Sequence, residues 1–364
     1  MRGNIKTFSE VADDFVEFIA ESSDATNEVD DLEQLCYRWA LENTLEMVWD
    51  YRLGALRKHV PPNSHASDLI QCIRLLAGTE GRSLWARRNF GKVADLWINL
   101  THPGSKKRYI QMQMRIQEIS TEVLKEALDN VDMEKLETTE YNDLTLFEKL
   151  VKDHGKDSKV QDLLTRDGIG AGVETPGKTM MFFIYDLATN PDKQEILYQE
   201  ILNVFGPDGE ITDKGLNQIL KKYLRPCFLE SQRCHPLVFG ISRISQVDMP
   251  LEGFMVPKGT KINYCMMNRC KDPEPFPEPH KFLPERWLRD HPLEHNAHPF
   301  ATLHFSFGPR MCLGRRFAEL EFYILIIKIL KRFKLEYHHE EVKMLTEFVT
   351  RPDKKVKVRF VPRK

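Results

Sequence analysis

Phe305-Ser306-Phe307-Gly308-Pro309-Arg310-Met311-Cys312-Leu313-Gly314 is the stretch that decides how this chain is read. Five anchors, Phe305, Gly308, Arg310, Cys312 and Gly314, stand at fixed spacing, and an apolar run follows them. A lone cysteine between two glycines is a way to offer one thiolate to a haem iron. Gly308 lets the backbone turn tightly beside a flat macrocycle. Arg310 brings a planar guanidinium that can meet a haem propionate bidentately. Cys312 must ligate as thiolate, and a helix starting just beyond it favours that negative charge. Gly314 keeps the sulfur side free of side-chain bulk. An isolated Cys-x-Gly reads more simply as a small apolar filler, but that reading does not account for five anchors in register.

The rest of the chain is compatible with a large helical protein. Its 364 residues are 41% hydrophobic and 29% charged, which suits a soluble globular chain. The net charge of −2 gives no global basic field, so nucleic acid is not an expected partner. No run is long and apolar enough to span a bilayer; the best, Phe322 to Leu330, is short and broken by Lys328. The opening residues lack a signal peptide's apolar stretch, and Glu10, Asp13 and Asp14 argue against an acid-poor transit peptide. The scattered cysteines, Cys36, Cys72, Cys227, Cys234, Cys265, Cys270 and Cys312, do not form a disulfide framework, which points to a reducing compartment. Cys227, Cys234, His235, Cys265 and Cys270 contain no Cys-x-x-Cys knuckle, so a zinc site is not expected.

Periodicity predicts mostly helix. Phe8, Val11, Ala12, Phe15, Phe18 and Ile19 recur at helical spacing, and the polar stretch Glu21 to Asp31 follows as a loop. Leu32, Leu35, Cys36, Trp39, Met47 and Val48 mark a second helix ending near Gly54. Further helices are expected at 68–76, 87–99, 105–128 and 158–189, with a last one from Gly314 to about Lys331. Short apolar pieces with turn residues between Leu237 and Lys261 predict a small β element. Pro273 to Pro299 reads as an ordered loop carrying Phe276, Phe282 and Trp287. Val356 to Phe360 alternates like a terminal strand.

The loop around Cys312 resembles the haem-ligand loop of the cytochrome P450 family, and its continuation, Arg315-Arg316-Phe317-Ala318-Glu319-Leu320-Glu321, is similar to the mitochondrial-type branch. The resemblance implies a mainly α fold with small β-sheets, forming one domain over residues 1–364. It implies haem b (iron protoporphyrin IX) as cofactor, with Cys312 as metal ligand and Phe305, Gly308, Arg310 and Gly314 around the group.

Other segments fit the same family. Ala171-Gly172-Val173-Glu174-Thr175 looks like its oxygen-activation segment, which implies Glu174 and Thr175 as the catalytic acid and hydroxyl that deliver protons to dioxygen. Gly172 would leave room for oxygen. Pro176 departs from the pattern, since a small hydroxyl residue is usual there, and a proline removes a backbone donor and should kink the helix. Glu230-Ser231-Gln232-Arg233 reads alone as a local surface pair on a helix. With Pro284-Glu285-Arg286-Trp287 downstream, it is similar to the family's Glu-x-x-Arg and Pro-Glu-Arg segments, whose Glu and Arg residues form a buried structural triad. That role passes to Glu230, Arg233 and Arg286. Gly240-Ile241-Ser242-Arg243 matches a stretch whose arginine often reaches a propionate, with Val238, Phe239 and Ile241 lining the substrate cavity; a plain edge strand with a solvated Arg243 is the alternative. Lys221, Lys222, Arg225, Arg315 and Arg316 gather near the cysteine side, either as a solvated face or as a docking surface for an acidic iron–sulfur ferredoxin. Leu229 stands where this branch often has lysine.

The resemblance covers only the later part of the family fold. The early helices, most of the main sheet and an early Trp-x-x-x-Arg have no counterpart, and Trp85-Ala86-Arg87-Arg88-Asn89 has the wrong spacing to replace the last of these. An N-terminally truncated P450-like fold is therefore expected, with exposed edges and apolar faces. The expected activity is insertion of one oxygen atom from O2 into an apolar small molecule such as a sterol or lipophilic xenobiotic, in mitochondria, at the matrix side of the inner membrane. Membrane association would belong to a full-length form. The rival expectation is a non-catalytic remnant that binds haem poorly and acts, if at all, as an interaction protein.

Overall fold

The computed structural model describes residues 2–73, 105–155, 160, 168–295, 297–346 and 349–363. The helix expected at 87–99, the Trp85 to Asn89 stretch and most of 158–168 lie outside the described residues. In chain order the elements are α1 (Arg2–Ser22), β1 (Glu28–Val29), α2 (Leu32–Trp49), α3 (Ser105–Asp129), α4 (Met133–Thr138), α5 (Leu146–His154), α6 (Ile169–Thr189), α7 (Pro191–Phe205), α8 (Asp213–Ile219) and α9 (Leu224–Cys234). There follow β2 (Ile241–Ile244), β3 (Met249–Leu251), β4 (Phe254–Val256), β5 (Lys261–Tyr264), α10 (Met266–Cys270), α11 (Arg315–Arg332), β6 (Phe333–Glu336), β7 (Met344–Leu345), β8 (Arg351–Pro352) and β9 (Val358–Pro362).

The frame is helix on helix. The α1 stripe of Phe8, Val11, Ala12, Phe15, Phe18 and Ile19 is buried along its whole length. Trp39 on α2 joins the layers: its ring centre lies 6.2 Å from Phe15 on α1 and 6.0 Å from Phe322 on α11. Burying each such side chain contributes roughly 1.5–3 kcal/mol. Residues Met180 to Ala188 of α6 are all buried. Apart from Asp186 this run is apolar, and a helix buried on every side belongs at the centre of a protein; α6 packs against α2, α7, α9 and α11.

One helix end and one loop differ from the sequence expectation. The second helix stops at Trp49 rather than near Gly54, because Asp50 takes a left-handed conformation at φ 50° and its N–H closes on Glu46 O at 3.0 Å. The loop after α1 contains the short strand β1, which pairs antiparallel with β9 in a three-stranded sheet ordered β1-β9-β6.

The remaining strands form antiparallel pairs: β2 with β5, β3 with β4 and β7 with β8. Large apolar side chains stand exposed on these pieces, with Ile244 at 59%, Phe254 at 76% and Met255 at 69%. The 273–299 stretch is held by buried Phe276 and Phe282, and Trp287 packs against Phe276 with ring centres 6.1 Å apart.

Candidate active site

The cysteine loop is shaped by its own backbone. Ser306 (φ 59°) and Gly308 (φ 67°) both adopt left-handed conformations, which at Ser306 costs strain and at Gly308 does not. Gly308, Pro309 and Arg310 make one 3₁₀ turn, closed by Met311 N–H to Gly308 O at 3.0 Å. The Cys312 N–H then donates to Phe305 O at 2.9 Å. This ties the loop into a knuckle and turns the Cys312 thiol outward, exposed and unpaired in a disulfide. Gly314 is the N-cap of α11, and a Cβ there would lie 4.0 Å from the Cys312 sulfur. The sulfur therefore sits just ahead of the N-terminus of a long helix, the end that carries partial positive charge.

Phe305 is half-buried under the loop, with the Arg315 guanidinium 5.6 Å from its ring centre. Phe307 stacks on Phe300 at 4.8 Å, and Phe307, Met311 and Leu313 are exposed, Leu313 almost completely at 97%. Arg310 is exposed and makes no ion pair among the described residues. Arg243, on β2, reaches the same loop: its Nη2 donates to Ser306 Oγ at 3.1 Å. One loop thus carries an exposed thiol, an exposed guanidinium and exposed apolar side chains, with a second guanidinium bonded to it. This donor set fits a haem, with the thiolate for iron, the arginines for propionates and the apolar side chains against the macrocycle. Behind the loop, His304 is held neutral: burial, and then the Arg233 charge, lower its pKa to about 3.

Glu230, Arg233 and Arg286 meet in the core, 0%, 0% and 2% exposed. Arg233 grips Glu230 bidentately at 2.9 and 2.8 Å, and Arg286 Nε donates to Glu230 Oε1 at 2.9 Å. Further guanidinium hydrogens go to backbone carbonyls of Cys270, Pro279, Lys281, Pro277 and Glu278. Burial is the largest single influence and works against the Arg233 charge, but the Glu230 hydrogen bond and charge, with Cys234 and Cys270 beside it, together outweigh it and its pKa rises. Trp287 completes the site, its indole N–H donating to Glu230 Oε2 at 2.7 Å. In the sequence Trp287 was legible only as a buried aromatic. Its place directly after Arg286 was the available signal.

On α6, Thr175 Oγ1 donates to Ala171 O at 2.6 Å. Glu174 Oε1 accepts from the buried Lys178 Nζ at 2.7 Å, a partner that the (i, i+4) spacing could have suggested. Gly172 faces α2, where a Cβ would lie 2.7 Å from Thr44 Oγ1. The helix continues through Pro176 without a break. Among the cations near the cysteine, Lys221, Arg225 and Arg316 are exposed, while Arg315 is paired with Glu319 at 3.0 Å.

A central buried helix, a thiol presented ahead of a second helix and a buried Glu–Arg–Arg cluster define the P450 class of haem-thiolate proteins. The family model described as Cytochrome P450 matches residues 2–360, and the chain belongs to that family. Its similarities place it with the mitochondrial-type members. It is 32% identical to a probable cytochrome P450 12a5, mitochondrial, of Drosophila melanogaster, over 92% of this chain and 62% of that protein. It is 30% identical to cytochrome P450 10 of Lymnaea stagnalis, over 97% of this chain and 62% of that protein. With the mitochondrial sterol 26-hydroxylase of Homo sapiens it shares 29% identity, over 98% of this chain and 66% of that protein. The chain thus spans somewhat under two thirds of the length of these relatives.

Proposed function

We propose that this chain carries the catalytic core of a haem-thiolate monooxygenase that inserts one oxygen atom from O2 into an apolar substrate. A sterol or a lipophilic xenobiotic is the substrate class. The observation that carries this reading is the outward Cys312 thiol, clamped by Phe305 O and set ahead of α11. When bound through Cys312, haem b supplies the redox chemistry that activates oxygen. The protein residues hold and feed it. Arg310 and Arg243 neutralise propionates, and Phe305, Gly308 and Gly314 shape the face. Glu174 and Thr175 hold and move protons beside the oxygen site. Glu230, Arg233 and Arg286 keep the scaffold behind the loop rigid.

The similarity to mitochondrial relatives supports a matrix-side location on the mitochondrial inner membrane. An iron–sulfur ferredoxin is then the electron donor, and the exposed Lys221, Arg225 and Arg316 supply charge that would steer an acidic partner. No described helix is long and apolar enough to cross a membrane.

A second reading is an interaction protein that binds haem poorly. The exposed Ile244, Val247, Leu251, Phe254 and Met255 on and around β2, β3 and β4 favour it, since contiguous exposed apolar surface marks a contact site. A reduced carbon-monoxide difference spectrum decides between them. A Soret band at the thiolate position, lost in Cys312→Ser, supports the enzyme. Its absence in the purified chain supports the interaction protein.

A further inference from the structure

Phe182, Tyr185 and Asp186 share one face of α6 by their helical spacing, and all three close on His235, the residue that ends α9. The His235 ring lies flat on Phe182, with ring centres 4.6 Å apart and planes 7° apart. Tyr185 meets the same ring edge-on at 5.9 Å. His235 Nδ1 donates to Asp186 Oδ2 at 3.1 Å. Ser231, one turn back on α9, donates its hydroxyl to that oxygen at 2.6 Å. A serine, a histidine and an aspartate side by side suggest a nucleophile with its base, but the geometry excludes one. Ser231 is buried and gives its hydrogen to Asp186 rather than to the imidazole. The cluster is an anchor.

What it anchors is the next stretch of chain. His235 caps α9, and Pro236 bars the helix from continuing. Thr350 then takes hold of the segment twice, its N–H donating to Leu237 O at 2.7 Å and its Oγ1 to Pro236 O at 2.8 Å. Val238 bridges antiparallel to Val349, and Met267 N–H donates to Phe239 O at 3.2 Å. At the far end Gly240 presses on β5 so closely that a Cβ would strike Tyr264 O. The same face of α6 also holds Val342, whose N–H donates to Tyr185 OH at 3.1 Å.

We propose that His235 is a positioning residue for the apolar substrate: seated on α6, it fixes where residues 236–240 stand and so shapes the wall formed by Val238, Phe239 and Ile241. The inference rests on the reading of those three side chains as lining the substrate cavity. Ile241 opens β2 and is paired with Tyr264 of β5, so β5 sets one end of the wall and His235 the other. Glu174 and Thr175 belong to the same α6. The seat therefore refers the substrate wall and the proton-handling pair to one rigid element, as a precise site requires.

The test is amide hydrogen exchange on the folded chain, read at Thr350 and Met267, whose N–H groups bond to Leu237 O and Phe239 O. His235→Ala removes the seat. Exchange at both amides should then rise about tenfold, while amides inside α11 keep their protection. His235→Phe keeps the stack on Phe182 and should restore most of the protection. Unchanged exchange at Thr350 and Met267 in His235→Ala overturns the proposal. Should His235→Ala fail to fold, His235→Gln decides by the same amides, since it keeps a donor for Asp186 and loses the stacked ring. In the haem-loaded chain two azoles separate the wall from the haem. Imidazole reports access to the iron, and clotrimazole adds bulky apolar rings that press on the cavity wall. His235→Ala should weaken clotrimazole roughly tenfold, read as its Soret shift, and leave imidazole unchanged. Loosened amides with an unchanged ratio of the two affinities would overturn the assignment to the substrate wall. The exchange measurement needs no haem, so its failure is distinct from failure of the monooxygenase reading, which the carbon-monoxide spectrum tests.

Discussion

Thr44 Oγ1 on α2 lies 2.6 Å from the carbonyl oxygen of Gly172 on α6. Gly172 is four residues before Pro176, so its carbonyl is the one that Pro176, lacking an N–H, leaves without a helical donor. Thr44 supplies a donor from the neighbouring helix, sharing its hydrogen between this carbonyl and Ala40 O at 2.7 Å. Thr44→Val keeps the shape and removes the hydroxyl, so it should destabilise the chain by about 1–2 kcal/mol. Pro176→Ala restores the helical N–H and should recover most of that loss in the double variant. Denaturant midpoints of the four proteins check this. A double variant no more stable than Thr44→Val would show that the carbonyl is not what Thr44 serves.

Glu230 is the hub of the buried cluster, accepting from Arg233, Arg286, Trp287 and the Leu283 N–H. Arg286→Met removes one cation from a fully buried carboxylate. The expected cost is about 3–5 kcal/mol, because Glu230 cannot be solvated in compensation. Trp287→Phe deletes only a neutral donor and should cost about 1–2 kcal/mol. Chemical unfolding followed by circular dichroism should rank the two in that order.

The motifs were readable because each needs a fixed residue type at a fixed spacing. Cys312 with its flanking glycines, and Glu230 three residues before Arg233, are local patterns. The α1 stripe and the start of α11 were visible as periodicity, since burial of one face follows directly from 3.6 residues per turn. What the sequence hid was long-range. Nothing in the local pattern places Thr44 against Gly172, 128 positions away, or turns Gly172 toward α2. The two residues of β1 are too short to alternate, and they are strand only because β9 pairs with them. The end of α2 was missed because Asp50, four residues before Gly54, already takes a left-handed conformation and stops the helix there.

The C-terminal end of α2 carries a pH-sensitive group. Burial, with Asp50, Glu42 and Glu10 nearby, raises Glu46 to about 7 against the opposing charge of Arg52. Burial likewise raises Asp50 to about 6, opposed by the Thr145 hydrogen bond. A carboxyl with a raised folded pKa binds its proton more tightly in the folded chain. Its contribution to stability is therefore lost as pH rises from the unfolded value, 4.5 for Glu46, to about 7, and stays constant above. Glu46→Gln should match the wild type near its acid limit and be more stable by about 1 kcal/mol at about pH 8, a figure discounted for solvent screening. Melting temperatures at the two pH values test this; a less stable Glu46→Gln at the higher pH would mean that the Arg52 pair dominates.

Gly177 sets the approach of the two central helices. A Cβ there would stand 2.5 Å from Tyr37 Cδ1 and 3.3 Å from the Tyr37 Cα. The second contact is with backbone, so a rotamer change of the ring cannot relieve the whole clash, and α2 must move away from α6. Alanine gains helix propensity of about 1 kcal/mol over glycine, yet overpacking of this kind costs about 1–3 kcal/mol. Gly177→Ala should therefore be destabilising on balance, and Tyr37→Ala in the same chain should remove the ring part of the penalty. Melting temperatures of the wild type, Gly177→Ala and the double variant check this. A Gly177→Ala no less stable than the wild type would show that the two helices yield without strain.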